Sequence, residues 1–375
     1  MTGKTLSGLE LRSLITGDGE LNLSFERVTI AEPAANEIVV RIEATPLNPS
    51  DIGLIFGAAD ISTLAARGAG ENAVVTARVP QDRLGSMEAR FGQSLTTGNE
   101  AAGTVVKVGS AEAAQRLLGK RVATIGGSMH AQFRVLGVED CEILPDDVSA
   151  IEGASWFVNP LTALGMVETM RRDGHMALVH TAAASNLGKM LIRLCKRDQI
   201  PLVNIVRRPE QVAELRQLGA RYVLDSNAPN FLIELRTALA ETGATIAFDA
   251  IGGGALAGVI LQAMEDVQPK SKAYSRYGSS VFKQIYAYGN LDSRPIEIPR
   301  TFGLDWGVCG WLLFPFLKKI GPEATARLRR RAVEELKSTF VSNYSSEISL
   351  LEMLTPGNII ESYKRATGSK FIVRP

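Results

Sequence analysis

The chain has 375 residues, of which 45% are hydrophobic and 22% charged, with a formal net charge of +1. That length favours two cores over one, and the near-zero charge gives no electrostatic reason to expect nucleic acid or an anionic membrane as partner. Cys141, Cys195 and Cys309 lie far apart with no C-x-x-C pair, which suits reduced thiols in a cytoplasm rather than a disulfide framework. No apolar signal segment is visible at the N-terminus, and GVCGWLLFPF (307–316) is too short to span a bilayer; the expectation is a soluble, cytoplasmic protein.

The first 150 residues read as β-rich. EIVVRIEA (37–44), AGTVVKVGS (102–110), GKRVATIGG (119–127) and AQFRVLG (131–137) are short, β-branched and separated by turns, a pattern of small barrels and sandwiches. Between them, residues 57–98 are rich in Gly, Ala and Ser without clear periodicity, which suits either an excursion loop or a lid over a substrate site. From about residue 153 strands and helices alternate. MALVHT (176–181) is followed by a helix with Leu187, Met190, Leu191, Leu194 and Cys195 on one face; then come PLVNIV (201–206), a proline-led helix, RYVLD (221–225), ATIAFDA (244–250), a glycine run with a further helix, and KQIYAYG (283–289). Such alternation predicts βαβ units and a doubly wound parallel sheet. FIVRP (371–375) reads as a closing strand.

The loop HTAAASNLG (180–188) stands where a nucleotide-binding turn would stand, yet holds one glycine. The glycine fingerprint serves a tight turn, close approach to a pyrophosphate and close helix–strand packing. Gly188 can meet the last need, and Ser185 and Asn186 offer polar side chains at a helix N-terminus that favours anions. The same composition also suits an alanine-rich helix start that binds nothing. About 20 residues on, where an NAD site carries an acid, the chain has Arg207 and Arg208; two guanidiniums suit the 2′-phosphate of NADPH.

Ordered stretches through the chain carry a resemblance: LNPSD (47–51), GNEAAGTVVKVGS (98–110), GKRVAT (119–124), FVNPLTALGMVE (157–168), HTAAASNLG, NIVRRPEQVAELRQLGARYVLD (204–225), FDAIGGG (248–254), YGNLDSRPIEIP (288–299) and GSKFIVRP (368–375). In these the sequence resembles the zinc-free side of the medium-chain dehydrogenase/reductase superfamily, the quinone oxidoreductases and mitochondrial-type 2-enoyl thioester reductases. The resemblance implies an α/β protein with a GroES-like β-rich catalytic domain over 1–155 and 335–375 and a Rossmann doubly wound parallel-sheet domain over 156–334. It implies NADPH along Ala183, Ser185, Asn186, Leu187 and Gly188, with Arg207 and Arg208 at the 2′-phosphate. Asn48, Thr162, Ile251, Gly252, Tyr288, Gly289 and Lys370 would serve the nicotinamide end. Asn48, Asp51 and Thr162 are the candidate catalytic groups, although Asp51 suits a structural role bonding the NPSD turn better than that of an acid. A homodimer and a small-molecule substrate are implied too. The activity would be hydride transfer to an α,β-unsaturated carbonyl, with quinone reduction or an inactive NADPH-binding protein as alternatives.

Departures from the family pattern matter as much. The zinc-binding GHE motif reads Gly98-Asn99-Glu100, and three scattered Cys with three scattered His cannot assemble a zinc ligand set; no metal is expected. His130 and His175 are expected at the surface or at strand ends, and His180 beside the loop. Ala59 stands where the thioester reductases carry a catalytic tyrosine. PKSKAYSRYGS (269–279) reads as a solvated loop rather than a nucleic-acid site, and ATARLRRRAVEELK (324–337) as a cation-rich exposed helix. Trp306, Trp311, Phe314 and Phe316 suit either core or a substrate channel.

Overall fold

A computed structural model describes residues 5–268, 275–299, 303–364 and 370–375. In chain order the elements are β1 (Ser7–Ile15), β2 (Glu20–Thr29), β3 (Glu37–Pro46), α1 (Pro49–Phe56), β4 (Asp60–Arg67), β5 (Val74–Arg78), β6 (Leu95–Thr96), β7 (Glu100–Val108), α2 (Glu112–Gln115), β8 (Arg121–Ile125), β9 (Phe133–Gly137), β10 (Cys141–Ile143) and α3 (Ala150–Gly153). Then follow α4 (Val158–Arg172), β11 (Leu178–His180), α5 (Asn186–Arg197), β12 (Leu202–Val206), α6 (Pro209–Gln217), β13 (Tyr222–Asp225), α7 (Phe231–Thr242), β14 (Ile246–Asp249), α8 (Leu256–Asp266) and β15 (Lys283–Ala287). β16 (Trp306–Gly310), α9 (Leu313–Ile320), α10 (Pro322–Glu334), β17 (Ser346–Ser349), α11 (Pro356–Tyr363) and β18 (Phe371–Arg374) complete the chain. Two compact units result: Met1–Val158 with Val333–Pro375, and Asn159–Ala332.

The first unit is β-rich. One sheet runs β4-β5-β2-β1-β6, the other β10-β8-β7-β3-β18-β17 with β9 also on β3. Alternation explains the strands: in β1, Leu9, Leu11, Ser13 and Ile15 are buried while Glu10, Arg12 and Leu14 between them are partly exposed. The loop expected over 57–98 is corrected. β5 pairs antiparallel with β2 from Glu20↔Arg78 to Ser24↔Val74, and β4 pairs with β5, so this stretch extends the sheet. Its strands escape a hydrophobic pattern because β4 is mostly exposed, with only Ile61 and Leu64 half-buried among small and polar residues; β5 alone of the two buries side chains fully, Val75 and Ala77.

The second unit carries a six-stranded, wholly parallel sheet in the order β13-β12-β11-β14-β15-β16. Parallel strands need crossovers, and helices supply them on both faces; β12 is buried along its whole length, as such strands must be. Val179, Val203, Ile205, Ala247 and Ile285 meet Leu235, Leu239, Ile260 and Leu261 of α7 and α8 in one core. The apolar face foreseen for α5 is buried as a stripe, Leu187 through Cys195.

Candidate functional site

In the second unit the polar groups gather at the carboxyl edge of the parallel sheet, where ligands of open α/β sheets bind. The loop after β11 turns tightly through Ala182, whose φ of 50° is the left-handed conformation that glycine fills in the fingerprint. Ser185 then caps α5, its Oγ accepting from the Gly188 amide at 3.1 Å. A Cβ on Gly188 would lie 2.1 Å from the Ala183 carbonyl oxygen, so the helix packs against the loop only because this residue is glycine. Ala183 is fully buried and Leu187 nearly so; the first-turn amides of α5 lack intrahelical acceptors, as at any helix start. On the neighbouring strand, Arg207 and Arg208 follow the last residue of β12, and both are exposed. Among the described residues neither guanidinium has a carboxylate partner. The Arg207 backbone is held by the Gln211 and Asn227 side chains at 3.3 and 2.8 Å.

Asp249, at the end of β14, organises the next turn. Its carboxylate accepts from the Thr181 hydroxyl at 2.6 Å and from the Ile251 and Gly252 amides at 3.0 and 3.1 Å. Gly252 takes a φ of +67°, and a Cβ there would stand 2.2 Å from the Gly289 carbonyl oxygen, so the 249–252 and 288–290 turns touch backbone to backbone. Tyr288 stacks on His180 with ring centroids 5.8 Å apart, and its hydroxyl lies 2.7 Å from His180 Nε2. Burial pushes the His180 imidazole down to about 3, so it is neutral. Thr162 is buried on the early turns of α4. Asp249 and Thr181 were not foreseen as site residues; an acid just before a glycine run is the signal that marks Asp249.

In the first unit a second polar cluster surrounds the NPSD turn. The Asp51 carboxylate, fully buried, accepts from the Asn48 amide at 2.8 Å and from Asn99 Nδ2 at 2.6 Å. It therefore bonds the turn that carries it. Burial raises its pKa to about 7, with the nearby Glu100 adding to the rise. Asn48 donates its side-chain amide to Glu100 at 2.8 Å, while its Oδ1 is buried with no hydrogen-bond partner among the described residues. Glu100 also accepts from the Phe157 and Val158 amides at 2.8 and 2.9 Å. Burial lifts its pKa too, against the pull of Lys370. The Lys370 ammonium donates to Ser155 Oγ at 2.8 Å and sits 5.5 Å from the Tyr344 ring centroid; burial brings it down to about 8. Glu100, Ser155 and Tyr344 were not singled out from sequence, since their partners are far away along the chain.

Other expectations change. His130 is not a surface residue: it is buried, with Nδ1 2.9 Å from the Thr97 hydroxyl, and burial lowers it to about 4. His175 does stand before a strand, bonded to Thr245 at 2.7 Å. Trp311 is core: it donates to Thr169 at 3.1 Å and packs against Phe316 and Phe248, over Gly165 where a Cβ would meet its ring at 2.9 Å. Phe314 is exposed. Ala59 is buried in the core of the first unit. Residues 269–274 of the basic-aromatic segment lie outside the described residues. Among the described residues no group of three or more His, Cys, Asp and Glu could hold a metal ion, and no helix is long and apolar enough to cross a membrane.

The two units, one β-rich and one with a parallel sheet of this topology, have the fold of the medium-chain dehydrogenases/reductases. The chain's homologues and structural neighbours are members of that superfamily, mitochondrial enoyl-[acyl-carrier-protein] reductases and quinone oxidoreductases. The chain is 26% identical over 233 residues to the mitochondrial enoyl-[acyl-carrier-protein] reductase of Xenopus tropicalis, a match covering 59% of this chain and 58% of that one. It is 26% identical over 238 residues to a chloroplast envelope quinone oxidoreductase homolog of Arabidopsis thaliana, covering 61% and 64% respectively. Less than two thirds of either relative's length is thus matched. A structure from Mesorhizobium loti assigned as an NADPH:quinone reductase superposes with a TM-score of 0.72 at 25% identity, covering 100% of both chains. Escherichia coli quinone oxidoreductase complexed with NADPH gives 0.69 at 17% identity, covering 99% and 100%. No family model matches.

Proposed function

We propose that the chain is an NADPH-dependent reductase acting on an activated double bond of an α,β-unsaturated carbonyl or on a quinone. The observation that carries the cofactor is the pair of exposed guanidiniums after β12, without a carboxylate partner among the described residues, on the strand next to the one whose loop Gly188 draws tight. Ala183, Ser185, Asn186, Leu187 and Gly188 would hold the pyrophosphate, and Arg207 and Arg208 the 2′-phosphate. A buried acceptor with no donor among the described residues, Asn48 Oδ1, suits the amide end of a nicotinamide; Thr162, Ile251, Gly252, Tyr288, Gly289 and Lys370 would line that end. Bound NADPH supplies a hydride equivalent. The chain's own task is to orient and to exclude water. Asp51 does so by fixing the turn that presents Asn48, and Lys370 by countering the buried Glu100. Residues 1–155 with 335–375 would then form the catalytic domain and 156–334 the cofactor domain.

Relatives named as enoyl-[acyl-carrier-protein] and quinone reductases support both substrate classes. Ala59, buried where a thioester reductase carries its tyrosine, favours the quinone side. Replacing Arg207 and Arg208 with alanine is expected to weaken NADPH by about 2 kcal/mol or more, one charge-assisted bond each, while NADH binding stays within about twofold. Equal losses for both, read by calorimetric titration, overturn the 2′-phosphate assignment. Turnover assays with enones, enoyl thioesters and quinones choose the substrate class; tight NADPH binding with no turnover would mean an inactive nucleotide-binding protein. We further infer a homodimer in a reducing, cytoplasmic compartment. Buried thiols at Cys141 and Cys195, far apart in the sequence, suit that compartment, and light scattering with cell fractionation tests both.

A further inference from the structure

The amino-terminal edge of the parallel sheet, opposite the turns proposed for the cofactor, holds a cavity of its own. It has a volume of about 370 Å³ and lies between the end of α5 and the first residues of β12 and β13, within the size range of small-molecule sites. Four strand steps along β12, roughly 13 Å, separate Leu202 in its wall from Val206, after which Arg207 and Arg208 follow.

Ile192, Ile200, Pro201, Leu202 and Ala220 make much of this wall apolar. Asn204 does not fit that pattern. β12 is buried along its whole length, and Val203 and Ile205 enter the core against α7 and α8, so Leu202, Asn204 and Val206 share the other face. An asparagine there is costly unless its polar atoms are satisfied. Its Nδ2 donates to the Tyr222 and Leu202 carbonyls at 3.1 and 3.4 Å, but Oδ1 is buried with no partner among the described residues. Turning the amide over would press Oδ1 against two carbonyl oxygens and orphan Nδ2 instead, so the free atom is the acceptor. Leu202 and Tyr222 both belong to the cavity wall, as does Asn204 itself, so the amide leans toward the cavity end of its strand.

Charge at the mouth is unbalanced. The Glu241 carboxylate accepts from Arg221 at 3.2 Å and from the Tyr222 hydroxyl at 2.9 Å. Lys196 has no partner among the described residues. Its ammonium lies over Gly219, where a Cβ would stand 2.7 Å from Nζ. One surplus cation beside a carboxylate suits a monoanion better than a doubly charged phosphate ester, which Glu241 would repel.

We propose that this cavity binds a small carboxylate with an apolar, ring-sized body and a hydroxyl or N–H donor at its far end. The carboxylate pairs with Lys196, the body covers the apolar wall, and the donor reaches Asn204 Oδ1. This site lies apart from the cofactor turns and does not depend on the reductase reading.

The test titrates the full chain by calorimetry with 4-hydroxybenzoate, its two-carbon-longer homologue 3-(4-hydroxyphenyl)propionate, and benzoate, which lacks the donor. At least one hydroxylated probe is expected to saturate a single site with a Kd no weaker than about 1 mM. Asn204→Leu, which keeps the bulk and removes the acceptor, should weaken that probe about fivefold or more while benzoate changes less than twofold. Lys196→Met, on the exposed end of α5, should weaken all three alike and serves if the Asn204 variant does not fold. No saturable binding by either hydroxylated probe means that the cavity holds water only, and overturns the proposal. Displacement of the probe by NADPH, equal losses of 4-hydroxybenzoate and benzoate in Asn204→Leu, or parent-like binding by Lys196→Met overturns it too.

Discussion

Asp51 binds its proton more tightly in the folded chain than in the unfolded one, because the carboxylate is out of water and faces Glu100. Between about pH 4 and about 7 the native state therefore holds more protons than the unfolded state. The stability this group contributes is full below its unfolded pKa and is lost as pH rises through about 7, at no more than about 1.4 kcal/mol per pH unit. Glu100 shifts the same way. Lys370, lowered by burial to about 8, acts oppositely: stability rises with pH above that value. Asp51→Asn should therefore flatten, without abolishing, the decline in urea-unfolding free energy between pH 5 and 7; parallel slopes for the two proteins would refute the raised pKa. At this scale the sequence offered a bonding role for Asp51 in the NPSD turn, and Asp51 does accept from the Asn48 backbone amide at the start of α1. It could not offer Glu100 as the acceptor for Phe157 and Val158, since 57 and 58 residues separate them. Nor could it show that Asn99, in the slot of a zinc-binding histidine, donates to Asp51.

Strands and helices were legible in proportion to how far burial dictated their composition. β3, β7, β12 and β14 carry β-branched or apolar runs because both or alternate faces are covered. β4 and β5 were not legible, since the first exposes most of its side chains and the second turns only one β-branched residue and one alanine, Val75 and Ala77, into the core. β5 nonetheless matters to the sheet. It pairs with β2 along five residues, and it places Val75 and Ala77 in the core with Leu21, Leu23 and Ile52. Val75→Asp would strand a carboxylate among them, at about 3 kcal/mol or more. A clear fall in the denaturant midpoint at unchanged slope is the expected result. A neutral outcome would show that residues 57–98 are a dispensable excursion after all.

Across the whole molecule, the cofactor groups proposed for the sheet edge belong to one unit but to four separate turns: 181–188, 207–208, 249–252 and 288–289. Each turn follows a strand of the same parallel sheet, β11, β12, β14 and β15, so one ligand lying across the edge would order all four together. That geometry makes a specific demand of hydrogen exchange. NADPH should slow exchange in these four segments at once, while the amino-terminal ends of the same strands, Leu202 and Ile246 among them, stay as they were. NADH should protect the first, third and fourth but leave 207–208 largely unchanged, because its ribose has no 2′-phosphate for the arginines to hold. At 100 times its Kd, NADPH should also stabilise the folded chain by about 2.7 kcal/mol, read as a rise in thermal midpoint. Protection confined to a single turn would break the case for a dinucleotide spanning the sheet edge, and identical patterns for the two cofactors would remove the arginines from it.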